Sequence, residues 1–169
     1  MPDEIVNKVA ASHLITLDLE LLRPNGERVP LDIKERLYKG LILREKEFRD
    51  FVRTNDWEKY RGQHVAIFCS ADAIVPTWAY MLMAVNLQPV AATVFFGSLE
   101  RLEEELYVKK LNELDWSAYD GAKVVVKGCS KFNVPLSIYV EVAARLRGRA
   151  QSIMYGEPCS TVPLFKKRG

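Results

Sequence analysis

The sequence predicts an α/β protein. A mostly parallel sheet is built from two strand–loop–helix–strand repeats, at about 56–97 and 115–156, and an N-terminal strand or hairpin and a helical cap complete it. Three observations predict this. Asp56, Trp57, Tyr60, Gly62 and Val65 recur as Asp115, Trp116, Tyr119, Gly121 and Val124, each 59 residues on. Each copy carries a short β-rich run, HVAIF or KVVVKG, of the kind expected for buried parallel strands. Each run is followed by Val-Pro, an apolar helix-length stretch and a second β-rich run closed by glycine.

From the N-terminus, Ile15, Leu17, Leu19 and Leu21 alternate with Thr16, Asp18 and Glu20, which reads as a strand with one wet face. Pro24-Asn25-Gly26 is a turn, and Val29 and Leu31 suit a returning strand. Asp32 with Glu35 forms a capping box ahead of a short helix ending at Gly40. Residues 45–55 are an amphipathic helix, and this first third is expected to cap the sheet within one domain, 1–169.

In the repeats, 64–68 and 123–128 are strands, and Pro76 and Pro135 open helices at 77–87 and 136–146. Return strands follow at 92–96 and 151–155, ending at Gly97 and Gly156. The first of these helices is almost wholly apolar and is expected to be buried, with Met81, Met83 and Met154 as core filler. Residues 99–114 form an amphipathic helix with Leu99, Leu102, Leu106, Leu111 and Leu114 near one face. The pairs Trp57/Tyr60 and Trp116/Tyr119, just ahead of buried strands, are expected to be structural plugs.

A chain of 169 residues suits one domain, and 49% apolar with 27% charged residues is ordinary globular usage. A net charge of +2 leaves no electrostatic footprint for nucleic acid, and Lys166-Lys167-Arg168 reads as a solvated tail. No apolar run is long enough to span a membrane, and MPDEIVNKVA lacks the pattern of a signal peptide. An odd cysteine count then points to reduced thiols in the cytoplasm.

All three cysteines stand in one local frame: CSADAIVP at 69–76, CSKFNVP at 129–135 and CSTVP at 159–163. Each lies just past a predicted strand, and ligand sites form at the carboxyl ends of parallel strands. If both repeats share one sheet, their crossover loops meet at its centre. Three thiolates about 4 Å apart repel by about 4 kcal/mol per pair at an effective dielectric near 20. They therefore stay protonated or gather round a cation. Cys69, Cys129 and Cys159 are thus candidate ligands for zinc or an iron–sulfur cluster, leaving one position open. Asp72 and Glu157 are candidate fourth ligands, and Ser70, Ser130 and Ser160 are candidate outer partners of the sulfurs or helix caps. His64 begins the strand that ends at Cys69, about 16 Å away, and is set aside. Against this, free cysteine often serves as a small buried hydrophobe, and no CxxC spacing occurs. No Ser-His-Asp order, phosphate-cradling glycine loop or HExxH motif is found.

The strings EIVNKVA, LITLDLE, DIKERLYKGLILREKEFR, CSADAIVPTWAYML, KGCS and GEPCSTVPL together resemble a bacterial family known as domain of unknown function 2480. The resemblance covers nearly the whole chain and carries no assigned activity. It implies a role near iron–sulfur cluster assembly, with assembly proteins as partners. The leading expectation is therefore a cytoplasmic three-thiolate protein in metal or iron–sulfur handling. The alternatives are a metal- or thiol-dependent enzyme and a non-catalytic interaction module with inert cysteines.

Overall fold

The computed structural model describes residues 13–128, 131–157 and 159–169. In chain order its elements are β1 (Leu14–Asp18), β2 (Arg28–Asp32), α1 (Glu45–Thr54), β3 (His64–Phe68), α2 (Thr77–Leu87), β4 (Thr93–Phe96), α3 (Leu99–Glu113), β5 (Lys123–Lys127), α4 (Leu136–Arg147), β6 (Ser152–Glu157) and β7 (Ser160–Lys166). The class is α/β with mostly parallel strands, as expected.

The strands do not share one sheet. One sheet has the order β1-β5-β6-β7, parallel except for β7, and the other has the order β2-β3-β4, all parallel. The chain divides accordingly into two compact units. One, the split unit, comprises the described residues of Met1–Pro24 and Leu106–Gly169. The other, the inserted unit, is Asn25–Glu105, and the boundary falls inside α3.

The expected N-terminal hairpin is replaced by two separate pairings. β1 lies parallel to β5, from Leu14 opposite Lys123 to Asp18 opposite Lys127, and β2 lies parallel to β3, from Arg28 opposite His64 to Asp32 opposite Phe68. The reason is local. Each strand ends at an aspartate whose carboxylate accepts a backbone bond two residues on, Asp18 from Glu20 N (3.1 Å) and Asp32 from Lys34 N (2.9 Å). Each cap starts a 3-10 turn, Leu19–Leu22 or Ile33–Arg36, that takes the chain out of the strand line. The alternation read through Leu21 therefore stops at Asp18, and the turn begun at Asp32 ends at Arg36 rather than Gly40.

Each unit has its own core. In the inserted unit Val65 and Ile67 of β3, Ala79, Met83 and Leu87 of α2, and Phe48 and Val52 of α1 are buried together. In the split unit the same places are held by Val124 and Val126, by Ile138, Val142 and Leu146, and by Tyr107 and Leu111 of α3. Trp57 Nε1 donates to Val52 O and Trp116 Nε1 to Leu111 O, both at 2.8 Å. These indoles tie each 3-10 turn (Trp57–Tyr60, Trp116–Tyr119) back to the preceding helix, as plugs should.

One expected burial fails. α2 buries Ala79, Met83 and Leu87, but Met81 and Val85 are 63% and 69% exposed. A helix packed on one face of a three-stranded sheet hides one stripe, whatever its composition. Among the described residues no helix is long and apolar enough to cross a membrane.

Candidate functional site

Each unit opens a cleft between its second helix and the strand after it. In the inserted unit Pro76 starts α2, and the downward stripe Ala79, Met83 and Leu87 turns Tyr80 toward β4. The Tyr80 ring meets Phe96 edge-on, with centroids 5.0 Å apart at 80°. Ile67, Thr77, Met81, Ala84 and Val94 complete a cleft of about 520 Å³. In the split unit the cleft is about 440 Å³, and Val126, Leu136, Tyr139, Val140 and Ala143 stand where those of the inserted unit stand, 59 residues on. Tyr139 meets Tyr155 edge-on at 5.7 Å and 88°. Here one wall is new: Leu164 of β7, the strand paired antiparallel to β6.

The loops beside the clefts are pinned by carboxylates. Asp32, at the end of β2, accepts from Ser70 N (3.1 Å) and from Ser70 Oγ (2.5 Å) as well as from Lys34 N. Burial pushes the Asp32 carboxyl up, but the bonds from Ser70 and Lys34 outweigh it and hold the carboxyl below its ordinary value. In the split unit Glu20 does the pinning, its Oε1 accepting from Lys131 N (2.7 Å) and Phe132 N (3.3 Å). Burial raises the Tyr80 hydroxyl above its ordinary value, and electrostatic repulsion from the neighbouring Cys69 and Asp32 side chains pushes the same way. Tyr80 therefore stays a neutral donor at the rim of an otherwise apolar cleft.

The expected three-thiolate site is overturned. Among the described residues no group of three or more His, Cys, Asp or Glu side chains could hold a metal ion. The premise fails at the level of topology, because β3 leads to Cys69 in one sheet while β6 leads to Cys159 in the other. Cys69 is half-buried, and its thiol donates to Ala71 O at 3.6 Å rather than to a carboxylate or histidine. Cys159 is exposed between Glu157 and Ser160, where β6 turns into β7. Cys129 and Ser130 lie outside the described residues.

Among the other candidates, Ser70 and Glu157 have structural partners. Asp72 is exposed in the loop ahead of α2. Glu157 is paired at 3.8 Å with Lys127 Nζ, which also reaches Asp18 at 3.5 Å. Ser70 serves Asp32, and Ser160 opens β7. His64 is buried, with Nδ1 at 3.0 Å from Thr93 Oγ1 and Nε2 at 2.7 Å from Asn25 O.

Sequence reasoning missed the cleft residues, although the offset of 59 relates Tyr80 to Tyr139 and Phe96 to Tyr155. It also missed β7. The extra Gly128, which interrupts the offset, has a local use. A Cβ there would lie 2.6 Å from Tyr139 Oη, so glycine leaves the Tyr139 hydroxyl room to sit against the loop.

Residues 3–167 match the family described as "Protein of unknown function (DUF2480)", and the chain belongs to that family. No curated protein and no solved structure matches it.

Proposed function

We propose that this DUF2480 protein is a non-catalytic interaction module that docks another polypeptide in the cleft between α2 and β4. One observation carries the reading. In the split unit the corresponding cleft is walled by an antiparallel strand, β7, with Leu164 turned into it. That architecture accepts a β-strand beside the helix, and among the described residues no strand pairs with the outer edge of β4. The cleft is lined by apolar and aromatic groups, and Met81, Val85 and Phe96 are each more than 60% exposed. Covering a side chain of that size stabilises a complex by about 1.5–3 kcal/mol. Strand addition at a sheet edge with side-chain pockets is an established mode of peptide recognition.

The test is site-specific photo-crosslinking in cells, with the reactive side chain at Met81 and a control at Lys46 on the exposed face of α1. Adducts with a second polypeptide are expected at 81 and not at 46. Equal yields at both positions, or none at 81, would remove the reading.

Two further proposals accompany it. The shared element order and the offset of 59 support an origin of the chain by duplication of one α/β unit within a single domain. An experimental structure in which β1, β5 and β6 do not follow the same order as β2, β3 and β4 would dismiss this. The odd number of cysteines supports a reducing, cytoplasmic location, and recovery of the protein in an oxidising compartment by cell fractionation would reverse it.

A further inference from the structure

The edge strands of this protein are protected unequally. β2 carries Pro30, which has no N–H to offer, between Arg28 and Asp32. β7 carries Pro163 and ends in Lys166, and the β6–β7 ladder is bulged at Ile153/Met154. β1 carries neither proline nor bulge but ends in the charged Asp18, paired with Lys127 at 3.5 Å, whereas β4, Thr-Val-Phe-Phe, has no device of any of these kinds. Its N–H groups alternate in direction. Thr93 N reaches Gln63 O (3.4 Å) and Gly97 N reaches Ile67 O (3.0 Å), which turns the backbone groups of Val94 and Phe96 away from β3.

Charge is distributed just as unevenly. No charged residue occurs between Asp72 and Glu100, a span that includes all of α2 and β4. The corresponding span of the split unit holds Glu141, Arg145, Arg147, Arg149 and Glu157. Along α2, Thr77, Met81, Ala84 and Val85 recur at helical spacing beside the open edge.

Resting on the reading of this cleft as a docking site, we infer that its occupant is a second copy of the chain, joined through β4 about a two-fold axis. A dyad through Phe95 sets Val94 of each copy opposite Phe96 of the other, so that the outward N–H and C=O groups pair in antiparallel fashion. The two sheets become one, and the two α2 helices meet on the same face across the axis. In such an isologous contact every surface group faces its own kind near the dyad. A charge there would confront itself, so neutrality is the complementarity that a self-interface needs. A four-residue strand is too little surface for a stable dimer by itself, and the exposed Met81 and Val85 supply the remainder.

Sedimentation of the full chain across the micromolar range tests this. Wild type is expected at twice the chain mass. Val94→Pro, which removes an outward donor, and Phe96→Lys, which places like charges at the axis, are each expected to halve the mass with unchanged far-ultraviolet circular dichroism. Val140→Lys, at the corresponding cleft of the split unit, is expected to stay dimeric. Should the variants fail to fold, amide exchange of wild type decides: Val94 and Phe96 slow with rising concentration and Phe95 does not. A wild-type monomer throughout, a dimer that survives both edge variants, or exchange independent of concentration would overturn the inference. A monomer that still forms photo-adducts at position 81 with another polypeptide would sink the second copy and leave the docking reading standing.

Discussion

The split and inserted units use one framework and finish it differently. Both place an aspartate at the end of the first strand, an indole donating to a helix carbonyl at 2.8 Å, and an edge-on aromatic pair over a cleft. The split unit goes on to add β7, so its last parallel strand has a neighbour and its cleft a wall. The inserted unit goes from Gly97 straight into α3 and leaves β4 at the edge. An α/β framework thus needs only its buried positions to be conservatively filled. The segment after the last parallel strand decides whether the edge is closed by the chain or offered outward.

Four sets of substitutions sharpen or break that comparison. Leu87 and Leu146 are both fully buried at corresponding points of α2 and α4. Leu87→Ala and Leu146→Ala should each cost about 3 kcal/mol in urea unfolding. Losses that differ severalfold would show that the two cores are not equivalent.

Gly97 follows β4 and Gly156 lies at the corresponding point inside β6, at φ +143° and +118°. A Cβ at Gly156 would meet Ser160 O at 2.7 Å, a backbone atom of the turn into β7, whereas at Gly97 it would meet the movable Phe95 ring at 2.8 Å. Gly156→Ala should therefore cost about 2–3 kcal/mol and Gly97→Ala about 1 kcal/mol in the same assay. The reverse order would argue against β7 as a rigid closing strand.

Trp57→Phe and Trp116→Phe leave the Val52 and Leu111 carbonyls without their indole donors and should cost about 1 kcal/mol each, read from thermal unfolding.

The smallest effect is the pH response of Asp32. Its carboxyl is held below the ordinary value of 3.8, so the stability it confers is present above that value and is lost as pH falls through the lower folded value. The site is largely open to water, so the loss should stay under about 1 kcal/mol. Asp32→Asn should flatten acid unfolding in that window, and an unchanged acid limb would mean that Ser70 is held by something else.

Several elements were legible from the amino-acid order alone. The offset of 59, the Val-Pro helix starts and the β-rich runs are local patterns, and they correctly located α2, α4, β3, β5 and the return strands β4 and β6. The match at α1, where Phe48 and Val52 correspond to Tyr107 and Leu111 of α3 at the same offset of 59, lies ahead of the repeat boundary read at Asp56, and their shared burial makes it plain. β7 was missed because Pro163 and the cysteine frame disguised a strand as a loop. The thiol cluster failed for a non-local reason: a shared CS…VP frame specifies how each loop leaves its strand, not which sheet the strand joins.

By itself, the sequence determined where α1 to α4 and β3 to β6 form, and that a neutral stretch runs from Ala73 to Leu99. These depend on dihedral preference, side-chain period and turn chemistry within a few residues. Only the tertiary structure decided that the strands form two sheets, that the thiols Cys69 and Cys159 belong to different units, and that no strand among the described residues pairs with the outer edge of β4. Those are matters of partner choice between segments far apart in the chain. The free energy of that choice comes from burial and strand pairing summed over a whole unit, which no short window of sequence contains.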